Sequence, residues 1–335
     1  MNLEWSSVQA ARQFLQRHFA QTRVVPATSL SRGVGPRVYF KLESELPTGS
    51  FKVRGALYAL YTELNRRPVA EVVASSTGNH GAAVAYAAKV MGIPARIFLP
   101  ANANPAKQMR IREQGAEIVE GGKDISDAAE AAQDYARRSS AFFLNDASNA
   151  DIPAGTATIA LEILEQLPGV TAVWVPVGDT ALSRGIACAA KHLRPEIRII
   201  GVQAERAPSY YLSWKRGVPV PTATCDTIAD GLATRTPLKE NVTAIRELVD
   251  DIRLVSEEQM LGAIEHLAAR ERIIAEPAAA ATTAAWLASA ESRGSGTGTV
   301  VLLITGANIS EPVLRLAMNR SVNEVSSNAV PEPQE

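Results

Sequence analysis

Short β-rich runs alternate with helical segments along most of this chain. The β-rich runs are at 38–42, 71–75, 95–99, 117–120, 141–144, 173–177, 198–203, 252–255 and 300–304. Segments with helical periodicity lie between most of them, for example at 82–91, 106–114, 126–138 and 154–166. This alternation is typical of layers of helices on mostly parallel sheets, so we predict an α/β fold.

Several residues that follow these β-rich runs are candidates for a binding site. Lys52, Asn79, Gly178 and Thr305 each come after a predicted strand. In sheets of this kind, ligands bind beyond the carboxyl ends of the strands, where loops lead into helices. We therefore expect these residues to surround one site.

The composition limits the classes of function that this chain can have. Its 335 residues suit one large domain or two modest ones, and its formal net charge of -1 gives no electrostatic footprint for nucleic acid. Two cysteines, Cys188 and Cys225, cannot build a disulfide framework or a multi-cysteine metal site. Cysteine scarcity is compatible with a reducing cytosol, and no apolar stretch is long enough to span a membrane. We expect a cytoplasmic protein with no nucleic-acid or membrane partner.

Lys52 stands at the predicted start of a helix, within the sequence Thr-Gly-Ser-Phe-Lys-Val-Arg-Gly-Ala at 48–56. A small-residue loop, Ser-Ser-Thr-Gly-Asn-His-Gly at 75–81, opens the next helix. Helix N-termini offer free N–H groups and a positive dipole end, which suit a carboxylate or a phosphate. A lysine near such ends is expected to have a lowered pKa, as covalent chemistry with a carbonyl cofactor requires. Taken singly, the two segments are also compatible with a surface lysine and an ordinary helix cap.

These two segments resemble the N-terminal signatures of the fold-type II pyridoxal phosphate enzymes, in the branch of threonine/serine dehydratase and serine racemase. The resemblance is carried by Ser-Phe-Lys-Val-Arg-Gly-Ala at 50–56 and Ser-Thr-Gly-Asn-His-Gly at 76–81. Further matches follow in the family's order at 155–162, 175–178, 227–231, 276–277 and 305–308. Several ordered motifs over most of the chain are far more specific than any single one.

The resemblance implies a tryptophan-synthase-β-like architecture with two open, mostly parallel sheets flanked by helices. A large cofactor-binding domain is expected at 1–69 and 147–321, with a small domain at 70–146. The polar residues 322–335, which include two prolines, are expected to form a flexible tail. We also expect a homodimer.

The resemblance assigns roles to residues of the predicted site. Lys52 corresponds to the lysine that holds pyridoxal 5'-phosphate covalently and then acts as acid and base at the substrate Cα. Asn79 corresponds to the partner of the cofactor's ring hydroxyl, and Thr305 to that of its pyridine nitrogen. Phe51 and Glu276 are also placed at the cofactor. The substrate carboxylate is expected at the loop formed by Ser76, Thr77, Gly78, Asn79 and His80.

The expected phosphate-binding loop departs from the family pattern. The family has four glycines and a leucine, whereas this chain has Gly178, Asp179, Thr180, Ala181 and Leu182. Backbone N–H groups can still bind phosphate there, and the Thr180 hydroxyl can add a donor. The Asp179 carboxylate would lie near the phosphate dianion unless it points away, and the compensating charge that we expect is Arg184.

No metal site is expected. Metal-binding members of this branch have an acidic trio after the strand at 198–203. The matching residues here are Gln203, Ala207 and Ser209, which are poor ligands for a hard divalent cation because they carry no carboxylate.

The resemblance implies a pyridoxal phosphate-dependent ammonia-lyase acting on a small β-hydroxy amino acid, L-threonine or L-serine first. Alternatives are an amino-acid racemase and a dehydratase of a related hydroxylated substrate, such as in hydroxyectoine utilisation. A non-enzymatic cofactor-binding protein is the alternative from another class, which an intact Lys52 argues against. Racemases of this branch have serine where this chain has Thr77, and dedicated threonine dehydratases commonly have alanine. Because the β-branch of Thr77 restricts its rotamers, we expect elimination to dominate.

Overall fold

Two open sheets organise the chain in this computed structural model, which describes residues 3–31, 35–101, 105–293 and 297–320. The strands are β1 (Val24–Pro26), β2 (Arg37–Leu42), β3 (Val72–Ser75), β4 (Ala95–Leu99), β5 (Glu117–Glu120), β6 (Phe142–Phe143), β7 (Ala172–Pro176), β8 (Arg198–Ala204), β9 (Asp251–Val255) and β10 (Thr299–Ile304). The larger sheet has the order β1-β2-β10-β7-β8-β9, and the smaller has the order β5-β4-β3-β6. Only β1 runs antiparallel to its neighbour among these strands, so the predicted parallel α/β arrangement is confirmed.

Helices connect the strands. They are α1 (Trp5–Leu15), α2 (Lys52–Arg66), α3 (Asn79–Met91), α4 (Pro105–Glu113), α5 (Ile125–Ser139), α6 (Ile152–Gln166), α7 (Ala181–Leu193), α8 (Ser209–Arg216), α9 (Lys239–Leu248), α10 (Glu257–His266), α11 (Pro277–Ala288) and α12 (Glu311–Met318). The alanine-rich α11 is buried against the larger sheet. Among the described residues, no helix is long and apolar enough to cross a membrane.

The predicted strands agree with the structure, with two departures. The run at 141–144 forms only the two-residue strand β6. The strand β1 is missing from the prediction, because it has only three residues and ends at Pro26, which a sheet tolerates at its edge. The strands of the smaller sheet all lie within the predicted small domain at 70–146. The predicted tail at 322–335 lies outside the described residues.

Both faces of the larger sheet are packed. Along β7, Val173 and Val175 face one hydrophobic core while Trp174 faces another, because successive residues of a strand point to opposite faces. Trp174 meets Trp286 of α11 edge to face, with 5.4 Å between ring centroids. A sheet buried on both faces holds its carboxyl-end loops on a rigid base.

Adding a methyl group at Gly185 is predicted to destabilise the packing of α7 against α6. A Cβ atom there would lie 2.8 Å from Ala157 N of α6. It would lie closer still to Thr156 Oγ1 and Pro153 O of the same helix. Because backbone atoms cannot move aside alone, Gly185→Ala is expected to lower the free energy of unfolding by about 2–3 kcal/mol.

The matched control is Gly262→Ala. Gly262 lies within α10, and an added Cβ would meet no described atom within 4 Å. This variant is expected to gain about 0.5–1 kcal/mol from helix propensity. Unfolding of both variants is followed by circular dichroism. Equal unfolding midpoints would contradict the close contact of α6 and α7.

Candidate active site

The predicted site residues gather where strands of both sheets end. Lys52 begins α2 after β2, and Asn79 begins α3 after β3. Phe51 N donates to Thr305 O at 3.0 Å, and Ser50 forms an isolated bridge with Gly306. The start of α2 is therefore joined directly to the end of β10.

The buried side chain of Arg54 anchors the first turn of α2. Its guanidinium is buried and donates to Glu43 at 2.7 Å and to Glu162 at 2.6 Å. Lys41 Nζ donates to Glu162 Oε2 at 2.6 Å. Burial opposes the charge of Arg54, but Glu43 and Glu162 outweigh it and raise the pKa of Arg54. This network joins β2, α2 and α6, so Lys52 projects from an anchored turn.

Asn79 is held by residues from elsewhere in the chain. Its Nδ2 donates to Glu276 Oε1 at 2.7 Å, and its Oδ1 accepts from Asn308 Nδ2 at 2.7 Å. Asn308 also donates to Thr48 O at 2.8 Å. The structure thus brings together Asn79 and Glu276, both predicted at the cofactor. Asn308 was part of a matching motif but was not predicted as a site residue.

Asp146 is a site residue that the sequence analysis missed. Its Oδ2 forms an ion pair with Lys52 Nζ and lies 3.9 Å from His80 Nδ1. Both side chains of the Lys52–Asp146 pair are partly accessible, at 20% and 16%. Asp146 could have been found by the criterion applied to Lys52, because it lies two residues after the β-rich run at 141–144.

The carboxylates of the site set the charge of Lys52. Burial favours the neutral amine, but Asp146 and then Asp179 outweigh it and raise the pKa of Lys52. The expected lowering of this pKa is therefore wrong, because the sequence analysis weighed helix ends and not these carboxylates. Burial works against the charged form of Asp146, yet nearby His80 and Lys52 hold the pKa of Asp146 below its ordinary value.

The buried side chain of His80 anchors the loop at 76–80. Its ring is 5% exposed, and its Nε2 donates to Leu144 O at 2.9 Å. Burial lowers the pKa of His80 and so disfavours its charged form. Thr77 and Ser76 are half-buried on the same loop, and Gly78 N donates to Ser76 Oγ at 3.2 Å.

The loop at 178–182 leads from β7 into α7 and has features of an anion cradle. A Cβ atom at Gly178 would clash with the backbone of Gly231, so no side chain fits there. Thr180 has a left-handed backbone with φ of 70° and precedes Ala181 and the buried Leu182 at the start of α7. The first N–H groups of a helix have no partner within it, so they can face an anion.

Arg184 and Asp179 bring opposite charges to this loop. Arg184 Nε donates to Thr180 Oγ1 at 3.1 Å, while its buried Nη2 has no hydrogen-bond partner within the described part of the chain. Asp179 Oδ1 accepts from Thr234 Oγ1 at 3.2 Å. Burial, and then the charge of Asp146, raise the pKa of Asp179 to about 6. The unpaired buried guanidinium donor of Arg184 suits an anionic group, and the raised pKa makes the carboxyl of Asp179 easier to neutralise beside one.

The residues that replace the acidic trio are buried or make hydrogen bonds within the protein. Gln203 Oε1 accepts from Tyr211 N at 2.9 Å, and Ser209 Oγ donates to Thr234 O at 2.6 Å. Ala207 is buried. In the residues for which the structure gives positions, no group of three or more His, Cys, Asp or Glu side chains could hold a metal ion.

Residues 15–306 match the family model described as pyridoxal-phosphate dependent enzyme. The L-threonine ammonia-lyase of Geobacter sulfurreducens is 33% identical over 320 residues, which cover 96% of this chain and 79% of that protein. The L-threonine ammonia-lyase of Thermotoga maritima is 34% identical over 315 residues, which cover 94% of this chain and 78% of that protein.

Solved structures resemble the whole fold. Maize serine racemase has a TM-score of 0.88 at 27% identity and covers 97% of this chain and 100% of its own. The processed threonine deaminase isoform 2 of Solanum lycopersicum has a TM-score of 0.87 at 25% identity and covers 95% of this chain and 94% of its own. These similarities confirm the predicted architecture of two mostly parallel sheets with flanking helices.

Asp179→Asn is predicted to stabilise the ligand-free chain in a pH-dependent way. A carboxyl pKa that is raised to about 6 favours folding at low pH, and this contribution is lost as pH rises through 6. An asparagine side chain is neutral at every pH in this range, and its amide oxygen can still accept a hydrogen bond from Thr234. We expect a gain on the order of 2 kcal/mol at about pH 8, shrinking toward zero at about pH 4.

Thermal unfolding from about pH 4 to about pH 8 checks this expectation. Asp226→Asn is the control for loss of one carboxylate, because Asp226 is exposed and pairs only across the surface with Arg206. A destabilised Asp179→Asn at the upper end, or a gain independent of pH, would show that Asp179 is not a strained carboxylate.

Proposed function

This chain belongs to the family of pyridoxal-phosphate dependent enzymes, and from that premise we propose that it is an ammonia-lyase of small β-hydroxy amino acids. L-Threonine and L-serine are the first substrates to test. The product is a 2-oxo acid with release of ammonia. The similarity to L-threonine ammonia-lyases over most of the chain supports this choice among reactions of the family.

The observation that carries the proposal is the placement of Lys52. It begins a helix anchored by Arg54, lies at the carboxyl ends of the strands and pairs with Asp146. An amine in this position can hold a carbonyl cofactor and can reach atoms of a bound amino acid. A surface lysine would have neither the anchoring nor the surrounding carboxylates.

The residues of the site fit the cofactor. Lys52 would hold it covalently, Asn79 and Thr305 would bind its ring, and the loop at 178–182 with Arg184 would bind its phosphate. The unpaired Nη2 of Arg184 and the N–H groups at the start of α7 are the features that fit a phosphate. When bound, pyridoxal phosphate supplies an electron sink for the charge that develops at the substrate Cα.

The protein contributes binding and proton transfer. N–H groups at the start of α3 and the loop at 76–80 would bind the substrate carboxylate. Lys52 would take the Cα proton, and the surrounding carboxylates that raise its pKa help it to retain that proton. The β-hydroxyl leaves with a proton as water, which completes the elimination. Thr305, which is 3% exposed, offers a neutral hydroxyl rather than a charged partner and so favours a short-lived carbanion.

Racemisation is the second candidate function. Thr77 carries a hydroxyl on the loop where racemases of this branch use a serine, and maize serine racemase has the same fold. An amino-acid racemase would need this hydroxyl to exchange a proton with Cα on the face opposite Lys52. The β-branch of Thr77 restricts its χ1 angle, which is why elimination is preferred here.

We further propose a metal-independent cytoplasmic homodimer with domains at 1–69 with 147–321 and at 70–146. The pairing of the strands supports this division into domains, because β3 to β6 pair only with one another among the strands described. Residues Gln203, Ala207 and Ser209 support metal independence, because none of them offers a carboxylate.

Lys52→Ala is predicted to abolish turnover. Loss of a group that both holds the cofactor and moves the proton should cost at least about 10³-fold in kcat. The assay measures 2-oxo acid released from L-threonine and L-serine by purified enzyme. Lys89→Ala, on the exposed side of α3, is the matched control and should retain full activity. More than a tenth of wild-type turnover in Lys52→Ala would contradict the assignment.

Substitutions at Thr77 are predicted to shift the balance of products. Thr77→Ala should retain most of the release of 2-oxo acid, because Lys52 performs the proton transfer for elimination. Thr77→Ser should increase any D-amino acid formed, since a serine hydroxyl rotates more freely. Both products are measured from the same L-serine reaction. D-Serine formed faster than pyruvate by the unmodified enzyme would favour the racemase.

A further inference from the structure

The active site places several carboxylates around one lysine. Three carboxylates, those of Asp146, Asp179 and Glu276, act on the single lysine Lys52. His80 offsets them only weakly, because burial lowers its pKa and disfavours its charged form. The site itself is identified independently of these carboxylates, by Lys52 and by membership of the family.

Asp146 is the carboxylate closest to the reacting centre. Its Oδ2 is paired with Lys52 Nζ, the atom that would take the Cα proton. Any group attached to Cα or Cβ of a bound substrate must therefore lie within a few bond lengths of Asp146. The side chain is 16% exposed, so a ligand can reach it.

The loop that carries Asp146 is held in place by side chains on both sides of it. Asn145 Oδ1 accepts from Ala147 N at 3.0 Å and from Ser148 N at 3.0 Å. Asn149 Oδ1 accepts from Asp151 N at 2.9 Å and begins the entry into α6. Asp146 is thus presented by an ordered turn and can select between ligands.

The proposed chemistry removes the partner of Asp146. Lys52 must be a neutral amine at the moment when it takes the Cα proton, so Asp146 then has no ammonium beside it. A partly buried carboxylate that loses its cation is unfavourable. The side chains of threonine and serine bring no charge to replace it, whereas a substrate with a side-chain ammonium does.

We propose that Asp146 is a specificity-determining residue that selects β-hydroxy amino acids carrying a second, cationic amine on the side chain. This inference rests on the proposed elimination and names its substrate class.

The reaction is unchanged by this choice of substrate. For 2,4-diamino-3-hydroxybutanoate, the Cα–H and Cβ–O bonds break and water leaves. Hydrolysis then returns one water as the α-amine departs as ammonia, which gives 4-amino-2-oxobutanoate. The 4-amine takes no part in bond changes and serves only for recognition.

Two amino acids of nearly equal size test the recognition separately from turnover. L-2,4-Diaminobutanoate and L-norvaline differ in a terminal ammonium and a terminal methyl, and neither has a β-leaving group. Calorimetric titration of the holoenzyme is expected to give at least about tenfold tighter binding of diaminobutanoate, as for a hydrogen bond to a charged group. Equal binding, or tighter binding of norvaline, would overturn the proposal whatever the variants do.

Variants locate the source of the preference. Asp146→Asn should reduce it to about threefold or less, whereas Asp146→Glu, which keeps the charge, should retain most of it. Asp151→Asn is the matched control from the same loop, where the carboxylate pairs with Arg66 outside the site. An undiminished preference in Asp146→Asn, or an equal weakening of both ligands, would show that Asp146 only positions Lys52.

Turnover distinguishes failure of this inference from failure of the proposed function. Release of 2-oxo acid is measured from L-threonine and from 2,4-diamino-3-hydroxybutanoate, and kcat/KM is expected to be higher for the diamine. If neither compound reacts, the lyase proposal fails while the binding preference is still decided by calorimetry. If L-threonine reacts with the higher kcat/KM and diaminobutanoate binds no better than norvaline, the lyase stands and the cationic substrate class is wrong.

Discussion

The buried ion pairs of Arg54 are the interaction on which the site depends. Arg54 is 1% exposed and lies between Glu43, which follows β2, and Glu162 of α6. Removal of one partner from such a buried pair leaves an uncompensated charge, which typically costs about 3–5 kcal/mol. The ion pairs also have a defined geometry, because the planar guanidinium of Arg54 fixes the orientation of both carboxylates. Lys52 is two residues before Arg54, so the same pairs that join β2, α2 and α6 also aim the lysine.

The rest of the site is assembled from chain segments that meet only in space. Asn79 and His80 begin α3, which follows β3 of the smaller sheet, whereas Glu276 and Thr305 belong to segments around the larger sheet. The hydrogen bonds of Asn79 to Glu276 and Asn308 join these groups. Parallel strands make this possible, since their carboxyl ends lie on one edge and their loops converge there. Function and topology are therefore linked through the positions where strands end.

Sequence patterns predicted the elements well, because buried parallel strands are continuous apolar runs and their helices have a clear period. They also predicted which loops converge, since Lys52, Asn79, Gly178 and Thr305 all follow strands. They could not predict pairs such as Lys52 with Asp146, which are 94 residues apart. The wrong pKa direction for Lys52 has the same origin, because it depends on carboxylates that only the fold brings near. Likewise, the partner of Asp179 is Thr234, a contact that no local motif encodes.

The most direct measurement of this account is the chemical identification of the lysine that holds the cofactor. Borohydride reduction of the holoenzyme makes the linkage permanent, and digestion followed by mass spectrometry locates it. The account predicts that the cofactor mass lies on the peptide containing Lys52, with loss of the visible absorbance of the holoenzyme. Attachment to another residue, such as the buried Lys41, or retention of no cofactor at all after reduction, would contradict the assignment of the site.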